Sequence, residues 1–224
     1  MPDIVALIPA YNEAQRILPV IQGAQQHLPV WVVDDGSSDQ TAALAESAGA
    51  KVIRQVPNQG KGRALQAGFR AALEAGIEAV VTLDADGQHL PAEIPPFLQK
   101  YSESQADLII GRRDFDKMPF VRKAANTIGG ALFSWAIRQP ILDNQSGYRL
   151  ISARLMEAML QSRESGFELE VEMVVVCAER NYKLDWVPIS TIYAGEKSHI
   201  HPLHHGLNFL RVVLATRKRT AGLT

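Results

Sequence analysis

The feature that most constrains this chain is an alternation sustained over its first 111 residues, between short β-branched apolar runs and alanine-rich stretches of helical length. The runs are Ile4–Ile8, Val30–Val33, Lys51–Ile53, Val80–Leu83 and Leu108–Ile110. The stretches between them are Leu18–His27, Asp39–Ala48, Lys61–Ala75 and Glu93–Ser104. Pro19 suits a first helical turn, Ser38 or Asp39 suits a helix cap, and Gly49 and Gly76 fall just past helix ends. Strands with no polar face, each followed by a helix, must be covered on both sides. That predicts an α/β fold, with a mostly parallel sheet and helices on both faces. In such sheets ligands bind outside the carboxyl ends of the strands.

Those strand ends carry the chemically loaded residues. In order they are Pro9-Ala-Tyr-Asn-Glu13, Asp34-Asp-Gly-Ser-Ser-Asp39, Asn58-Gln-Gly-Lys-Gly-Arg63, Asp84-Ala-Asp-Gly-Gln-His89 and Gly111-Arg-Arg-Asp114. A parallel sheet converges all of them on one rim. Asp84 and Asp86, one residue apart at the end of an apolar strand, are hard oxygen donors suited to Mg²⁺ or Mn²⁺, with the Gln88 amide oxygen close by. An Asp-Gly turn in solvent is the plain alternative for the same residues. In the second loop, Asp35 can accept a hydrogen bond from a base or ribose, while Gly36 allows a tight turn. The third loop puts two glycines and two cations at a helix start. It lacks the spacing of a P-loop, and Gly62 and Gly68 can equally serve helix–sheet packing.

The second half is less regular. Helices are expected over Lys123–Ile137, Ala153–Gln161, Glu168–Arg180 and Leu207–Arg217, with a strand at Leu184–Ile189 and a loop, Asp143–Arg149, leading into Leu150-Ile151. With no repeat or clear linker, residues 1–224 read as one domain: a nucleotide-binding half, 1–111, and an acceptor half, 112–224. The composition, 46% hydrophobic and 21% charged, is that of a globular protein with a sizeable core. A net charge of −1 gives no general field for nucleic acid. The single cysteine, Cys177, excludes an internal disulfide and a cysteine-based zinc site. No run approaches the about 18 apolar residues of a membrane span, and the N-terminus lacks a basic signal-peptide start. A cytoplasmic protein is expected, free or peripheral on the inner face of the membrane.

Taken together, Pro9–Glu13, Val33–Asp39, Asn58–Gly62, Asp84-Ala-Asp86 and Ser146-Gly-Tyr-Arg149 resemble, in that order, the motifs of family 2 glycosyltransferases of GT-A fold. The likeness is greatest to the branch containing polyprenyl- and dolichyl-phosphate mannose or glucose synthases. It implies a nucleotide-diphospho-sugar donor, a divalent metal and an inverting transfer. By resemblance, Pro9, Tyr11, Glu13, Asp35 and Lys61 sit at nucleoside-binding positions, and Asp84, Asp86 and Gln88 at metal- and diphosphate-binding ones. Arg112 matches a basic residue near the transferred sugar or acceptor phosphate, and Arg149 a cation that can face phosphate. The absence of a Gln-x-x-Arg-Trp signature argues against a processive polysaccharide synthase.

The acceptor divides two readings. A hydroxyl acceptor, in an envelope glycan or small molecule, needs a general base, and Asp143 is the candidate. A lipid phosphate is already ionised and needs only cations. Arg112, Arg113 and Arg149 exceed what a metal-held diphosphate requires, so a polyprenyl phosphate is the expected acceptor. Arg122-Lys123 with the apolar 124–137 segment, and the basic-ended Leu207–Arg219, suit an anionic membrane surface. Packing on the sheet or in a homodimer is the alternative for both. The Glu196-Lys-Ser-His199 loop departs from the family's Gly-Glu-Ser-Lys pattern, and His199, His201, His204 and His205 follow as a cluster that could reach the metal. A sugar-phosphate nucleotidyltransferase would open with a Gly-x-Gly-x-Arg-rich loop, absent here. A nucleotide-sugar sensor without turnover would have no need of both Asp84 and Asp86.

Overall fold

The computed structural model describes residues 3–113, 120–144, 146–162, 166, 168–190, 213–214 and 216–219, with the backbone alone over 120–128. Seven strands form one sheet: β1 (Ile4–Ala10), β2 (Val30–Asp34), β3 (Lys51–Arg54), β4 (Ala79–Thr82), β5 (Leu108–Arg113), β6 (Arg149–Ser152) and β7 (Leu184–Ile189). The helices are α1 (Ile17–Gln25), α2 (Thr41–Ser47), α3 (Lys61–Glu74), α4 (Ile94–Ser104), α5 (Phe120–Ile137), α6 (Ala153–Met159) and α7 (Glu168–Glu179). The described residues of 213–219 are helical too.

The sheet order is β3-β2-β1-β4-β6-β5-β7. Six strands run parallel. The exception is β6, antiparallel to both β4 and β5, with Thr82 opposite Arg149 and Ile110 opposite Arg149. The sequence leads one to expect a loop here, Asp143–Arg149, running into Leu150-Ile151 with no strand assigned; Arg149 belongs to the strand. All four residues of β6 are buried, so it shows no alternation, and a strand's direction leaves no mark in its own residues. Its insertion separates β4 from β5, which were expected as successive members of a plain parallel series.

Alternate residues of the inner strands feed two cores. On one face Val5, Leu7, Val33, Val80 and Ile110 pack with Leu65 and Phe69 of α3, Leu155 and Met159 of α6, and Met173 and Cys177 of α7. On the other, Ala6, Ile8, Val32, Val81 and Ile109 pack with Ile17 and Ile21 of α1 and with Ile94 and Phe97 of α4. Gly68 lets α3 settle onto β1, since a Cβ there would lie 2.7 Å from the Leu7 methyls. The edge strands differ from the inner ones as edges should. β3 exposes Lys51 and Arg54, and β7 carries Pro188, whose missing N–H an edge position tolerates. Among the described residues no helix is long and apolar enough to cross a membrane.

Candidate active site

The chain reverses its direction of travel across the sheet at β1. From β1 it winds outward to β2 and β3, then returns through α3 to β4 on the other side of β1. Such a switch point leaves a crevice at the carboxyl ends of the strands. A cavity of about 370 Å³ lies there, lined by Pro9, Ala10, Tyr11, Glu13, Asp35, Asn58, Gly60, Lys61, Ala64, Asp84, Ala85 and Asp86. The loops after four successive strands thus meet at one place. Seven residues expected at the site from the sequence (Pro9, Tyr11, Glu13, Asp35, Lys61, Asp84 and Asp86) all line it. A roomier depression of about 530 Å³ lies at the opposite rim, between the end of α1 and the starts of β2 and β3, but no carboxylate lines it.

The loops hold one another in place. Asn12 N–H donates to Ser37 Oγ (2.9 Å), and Asn12 Oδ1 accepts the Ser38 N–H (2.9 Å). The N-cap of α2 is Gln40, neither of the two expected residues, and it makes no side-chain capping bond; Asp39, one residue earlier, accepts the Thr41 N–H at 2.9 Å and the Ala14 N–H at 3.1 Å. Burial would raise its pKa, but the bonds from Thr41 and Ala14 outweigh that and lower it. Gly36, at φ +73°, approaches the next loop so closely that a Cβ would lie 2.8 Å from Asn58 N.

Asp35 has a second duty that its position in the motif did not reveal. Its carboxylate accepts the N–H groups of Gln59 (2.9 Å) and Gly60 (2.8 Å), and it is buried. It therefore shapes the Asn58–Gly60 turn leading into α3 while its remaining lone pairs face the cavity. Tyr11, half exposed, is the one aromatic side chain among the described residues that line the cavity. Glu13 is paired with Arg16 at 2.8 Å.

At the cavity floor, Lys61 Nζ lies 2.6 Å from Asp84 Oδ1 and 2.9 Å from Glu170 Oε1. Burial disfavours the charge on each partner. The two carboxylates nevertheless raise the Lys61 pKa, and Lys61 holds Asp84 well below the usual carboxylate range, with the Arg149 charge adding to the effect. Glu170 was not foreseen. It comes from the start of α7, and its one sequence signal is a carboxylate next to the otherwise buried run Leu169, Met173–Cys177. Gly147 closes the cluster from above. A Cβ on it would sit 3.0 Å from Asp84 Oδ2, 3.1 Å from Glu170 Oε1 and 3.1 Å from Lys61 Nζ. His89 was also missed. Its Nδ1 accepts the Asp84 N–H at 3.2 Å, and its ring leans on Tyr148 at 5.0 Å. Tyr148 in turn stacks on Phe97 and donates to Leu90 O at 3.1 Å.

Asp86 Oδ1 accepts the Gln88 N–H at 2.9 Å, so Gln88 shapes the turn, and it is not among the cavity-lining residues. Among the described residues no group of three or more His, Cys, Asp and Glu side chains forms a metal cage. A Mg²⁺ or Mn²⁺ ion that shares substrate phosphates needs only one or two protein carboxylates. Asp84 and Asp86, side by side on the cavity wall, fit that requirement.

The second-half candidates are placed differently. Arg149 was expected to face phosphate, but it is 1% exposed and points inward. Its Nε donates to Ser146 O (2.7 Å), Nη2 to Asn144 O (3.1 Å) and Nη1 to Glu170 O, so two loop carbonyls and one from the first turn of α7 take the guanidinium. Asp143, the candidate base, is 3% exposed and grips Arg113 in a two-pronged pair, to Nε at 2.7 Å and Nη2 at 2.8 Å. Arg112, at the end of β5, is exposed. The 196–199 loop, His199, His201, His204 and His205, the Arg122 and Lys123 side chains and residues 207–212 lie outside the described residues.

The description "Glycosyl transferase family 2" belongs to a family model that matches residues 5–165. Glycosyltransferase AglJ of Haloferax volcanii is 35% identical over 217 residues, covering 92% of this chain and 69% of that protein. The undecaprenyl-phosphate mannosyltransferase of Micrococcus luteus is 32% identical over 204 residues, covering 84% and 83%. The UDP-N-acetylglucosamine–dolichyl-phosphate N-acetylglucosaminyltransferase of Methanococcus voltae is 30% identical over 216 residues, covering 85% and 86%. Among solved structures, the glucosyl-3-phosphoglycerate synthase of Mycobacterium tuberculosis, crystallised with Mn²⁺, UDP and glucosyl-3-phosphoglycerate, superposes with a TM-score of 0.71 at 21% identity. The match covers 98% of this chain and 80% of that one. At that identity the likeness speaks for the fold alone.

Proposed function

Because the chain belongs to glycosyl transferase family 2 and is a glycosyltransferase of GT-A fold near the polyprenyl-phosphate sugar synthases, we propose that it moves a sugar from a nucleotide-diphospho-sugar to a polyprenyl phosphate, with inversion and with a divalent metal. The observation that carries this reading is a contrast of carboxylates. Asp84 and Asp86 open onto the switch-point cavity, whereas Asp143, the one carboxylate singled out as a general base, is buried against Arg113. A site whose candidate base is taken up by an arginine in this way suits an acceptor that is already an anion.

In this reading the nucleoside lies along Pro9, Tyr11, Glu13 and Asp35, with Tyr11 against the base. Asp84 and Asp86 would hold Mg²⁺ or Mn²⁺, and the ion would supply positive charge against that growing on the departing diphosphate. Lys61 adds a fixed positive charge at the same end of the cavity. Arg112 meets the acceptor phosphate at the outer edge. An oxygen of that phosphate attacks the anomeric carbon from the face opposite the donor diphosphate. The bond from that carbon to the diphosphate oxygen breaks, and its electron pair leaves with the nucleoside diphosphate. No proton has to move, so Asp143 remains a structural partner of Arg113. The relatives named for undecaprenyl- and dolichyl-phosphate support the acceptor class, and a lipid acceptor would be met at a membrane surface.

The test is transfer of labelled sugar from UDP-glucose, UDP-N-acetylglucosamine and GDP-mannose to undecaprenyl phosphate in detergent micelles, with Mn²⁺ or with EDTA. Solvent-extractable, metal-dependent label from one donor is the expected result. Label found only on a water-soluble hydroxyl acceptor, or label undiminished by EDTA, would overturn the acceptor or the metal respectively.

A further inference from the structure

The charge cluster at the cavity floor contains more than the metal reading requires. Asp84 Oδ1 is engaged by an ammonium at 2.6 Å, a cation already standing where a divalent ion would bind. That ammonium has a second anchor, Glu170 Oε1 at 2.9 Å, on a helix none of whose residues lines the cavity itself. Glu170 is 6% exposed, and its own backbone carbonyl is held by Arg149 Nη1. Gly147 lies within contact of all three charged groups and leaves no side chain between them. Two carboxylates and one ammonium leave one negative charge over. A divalent ion arriving at Asp84 repels the ammonium beside it, and Lys61 can withdraw only toward a remaining anion.

We infer that Lys61 is a resident cation that competes with the divalent metal for Asp84, and that Glu170 is the positioning residue that receives Lys61 when the metal binds. This rests on the metal reading above. The arrangement spares the cavity an unpaired buried carboxylate before metal arrives, and an unpaired ammonium afterwards. Glu170 then acts on the metal through Lys61, without being a ligand itself. Metal affinity in the absence of nucleotide is held down, because binding has to displace an ion pair already formed. The donor diphosphate supplies the additional oxygens that tip the exchange.

The experiment is Mn²⁺ binding to the full-length protein, read from the loss of the free-ion EPR signal, with no nucleotide present. Lys61→Met should bind Mn²⁺ more tightly than the wild type, by on the order of tenfold, as expected for removing one charge-assisted contact. Glu170→Gln should bind it several-fold more weakly, because Lys61 then leans on Asp84 alone. In the double variant the Glu170→Gln effect should largely vanish. Unchanged or weaker binding by Lys61→Met overturns the competition. An undiminished Glu170→Gln effect in the Lys61→Met background shows that Glu170 acts on the metal directly and overturns its role as receiver. If Glu170→Gln fails to fold, the Lys61→Met titration still decides whether Lys61 competes. A parallel titration of wild type with UDP or GDP present separates the two levels. No Mn²⁺ binding there removes the metal reading itself, whereas nucleotide-assisted binding with the wrong order among the variants removes only the exchange.

Discussion

The loops after β1 to β4 and the segment around β6 and α7 are both rich in charge, and they use it in opposite ways. In the first region Asp84, Asp86, Lys61 and Glu13 stand on a cavity wall. In the second, Asp143 and Arg149 turn away from solvent, one to a neighbouring side chain and the other to three carbonyls. The first region is a set of strand ends, where the chain must leave the sheet and polar groups meet water. The second is wedged between the sheet and α7, where a charge survives only if every lone pair and proton has a partner. The difference teaches that a motif's charged residues can belong to one site and still divide into those that meet the ligand and those that hold the frame.

The sharpest way to break this comparison is to remove a cavity carboxylate. Asp86→Ala should lower sugar transfer by about 10²-fold or more, the scale of several kcal/mol of charge stabilisation by a metal. The urea-unfolding midpoint should stay near wild type, since the side chain sits at a strand end outside the core. Transfer at the wild-type rate would show that Asp86 holds no essential metal. Next in size is a frame residue. Arg149→Met leaves three buried carbonyls without their donor, at about 1–3 kcal/mol for each group left unpaired. A stability loss of roughly 3 kcal/mol in urea is expected, with reduced activity following from the loosened loop. Normal stability with transfer abolished would return Arg149 to the phosphate.

A smaller effect is expected from Asp143→Asn. The amide keeps the shape and one acceptor for Arg113, so transfer to a polyprenyl phosphate should remain within about tenfold of wild type. A loss of about 10²–10⁴, the range of general-base catalysis, would mark Asp143 as a base and a hydroxyl as the acceptor. The smallest effect lies in the acid limb of stability. Burial opposes ionisation of Asp84, but Lys61 more than compensates, so its folded pKa lies below the model-peptide value of 3.8. A lowered pKa means that the folded state favours the ionised form. The contribution is therefore present above about pH 4 and is lost as the pH falls below that value toward the lowered folded pKa. Asp84→Asn should flatten the fall in urea midpoint over that window, and an identical slope in both proteins would show that the pair adds nothing to the pH dependence.

The cavity was legible because its residues are local consequences of strand ends. Pro9–Glu13, Asp34–Asp39, Asn58–Lys61 and Asp84–Asp86 each follow an apolar run directly, and the parallel winding gathers them without any knowledge of side-chain pairing. What the sequence left hidden was every partnership across long separations. Asp35 reads as a ligand group until Gln59 and Gly60 are seen donating to it. Lys61 reads as a phosphate cation until Glu170 arrives from α7, and Arg149 reads likewise until the carbonyls of 144, 146 and 170 enclose it.

The sequence by itself determined the fold class, because hydrophobic period is written in neighbouring residues, and the order of its loop motifs carried the resemblance to the glycosyltransferases. Only the tertiary structure decided that β6 enters the sheet antiparallel between β4 and β5, and which charges face a ligand rather than one another. Strand direction and ion pairing depend on which segments come together. That is settled by packing both faces of the sheet at once, which brings distant charges within reach of one another.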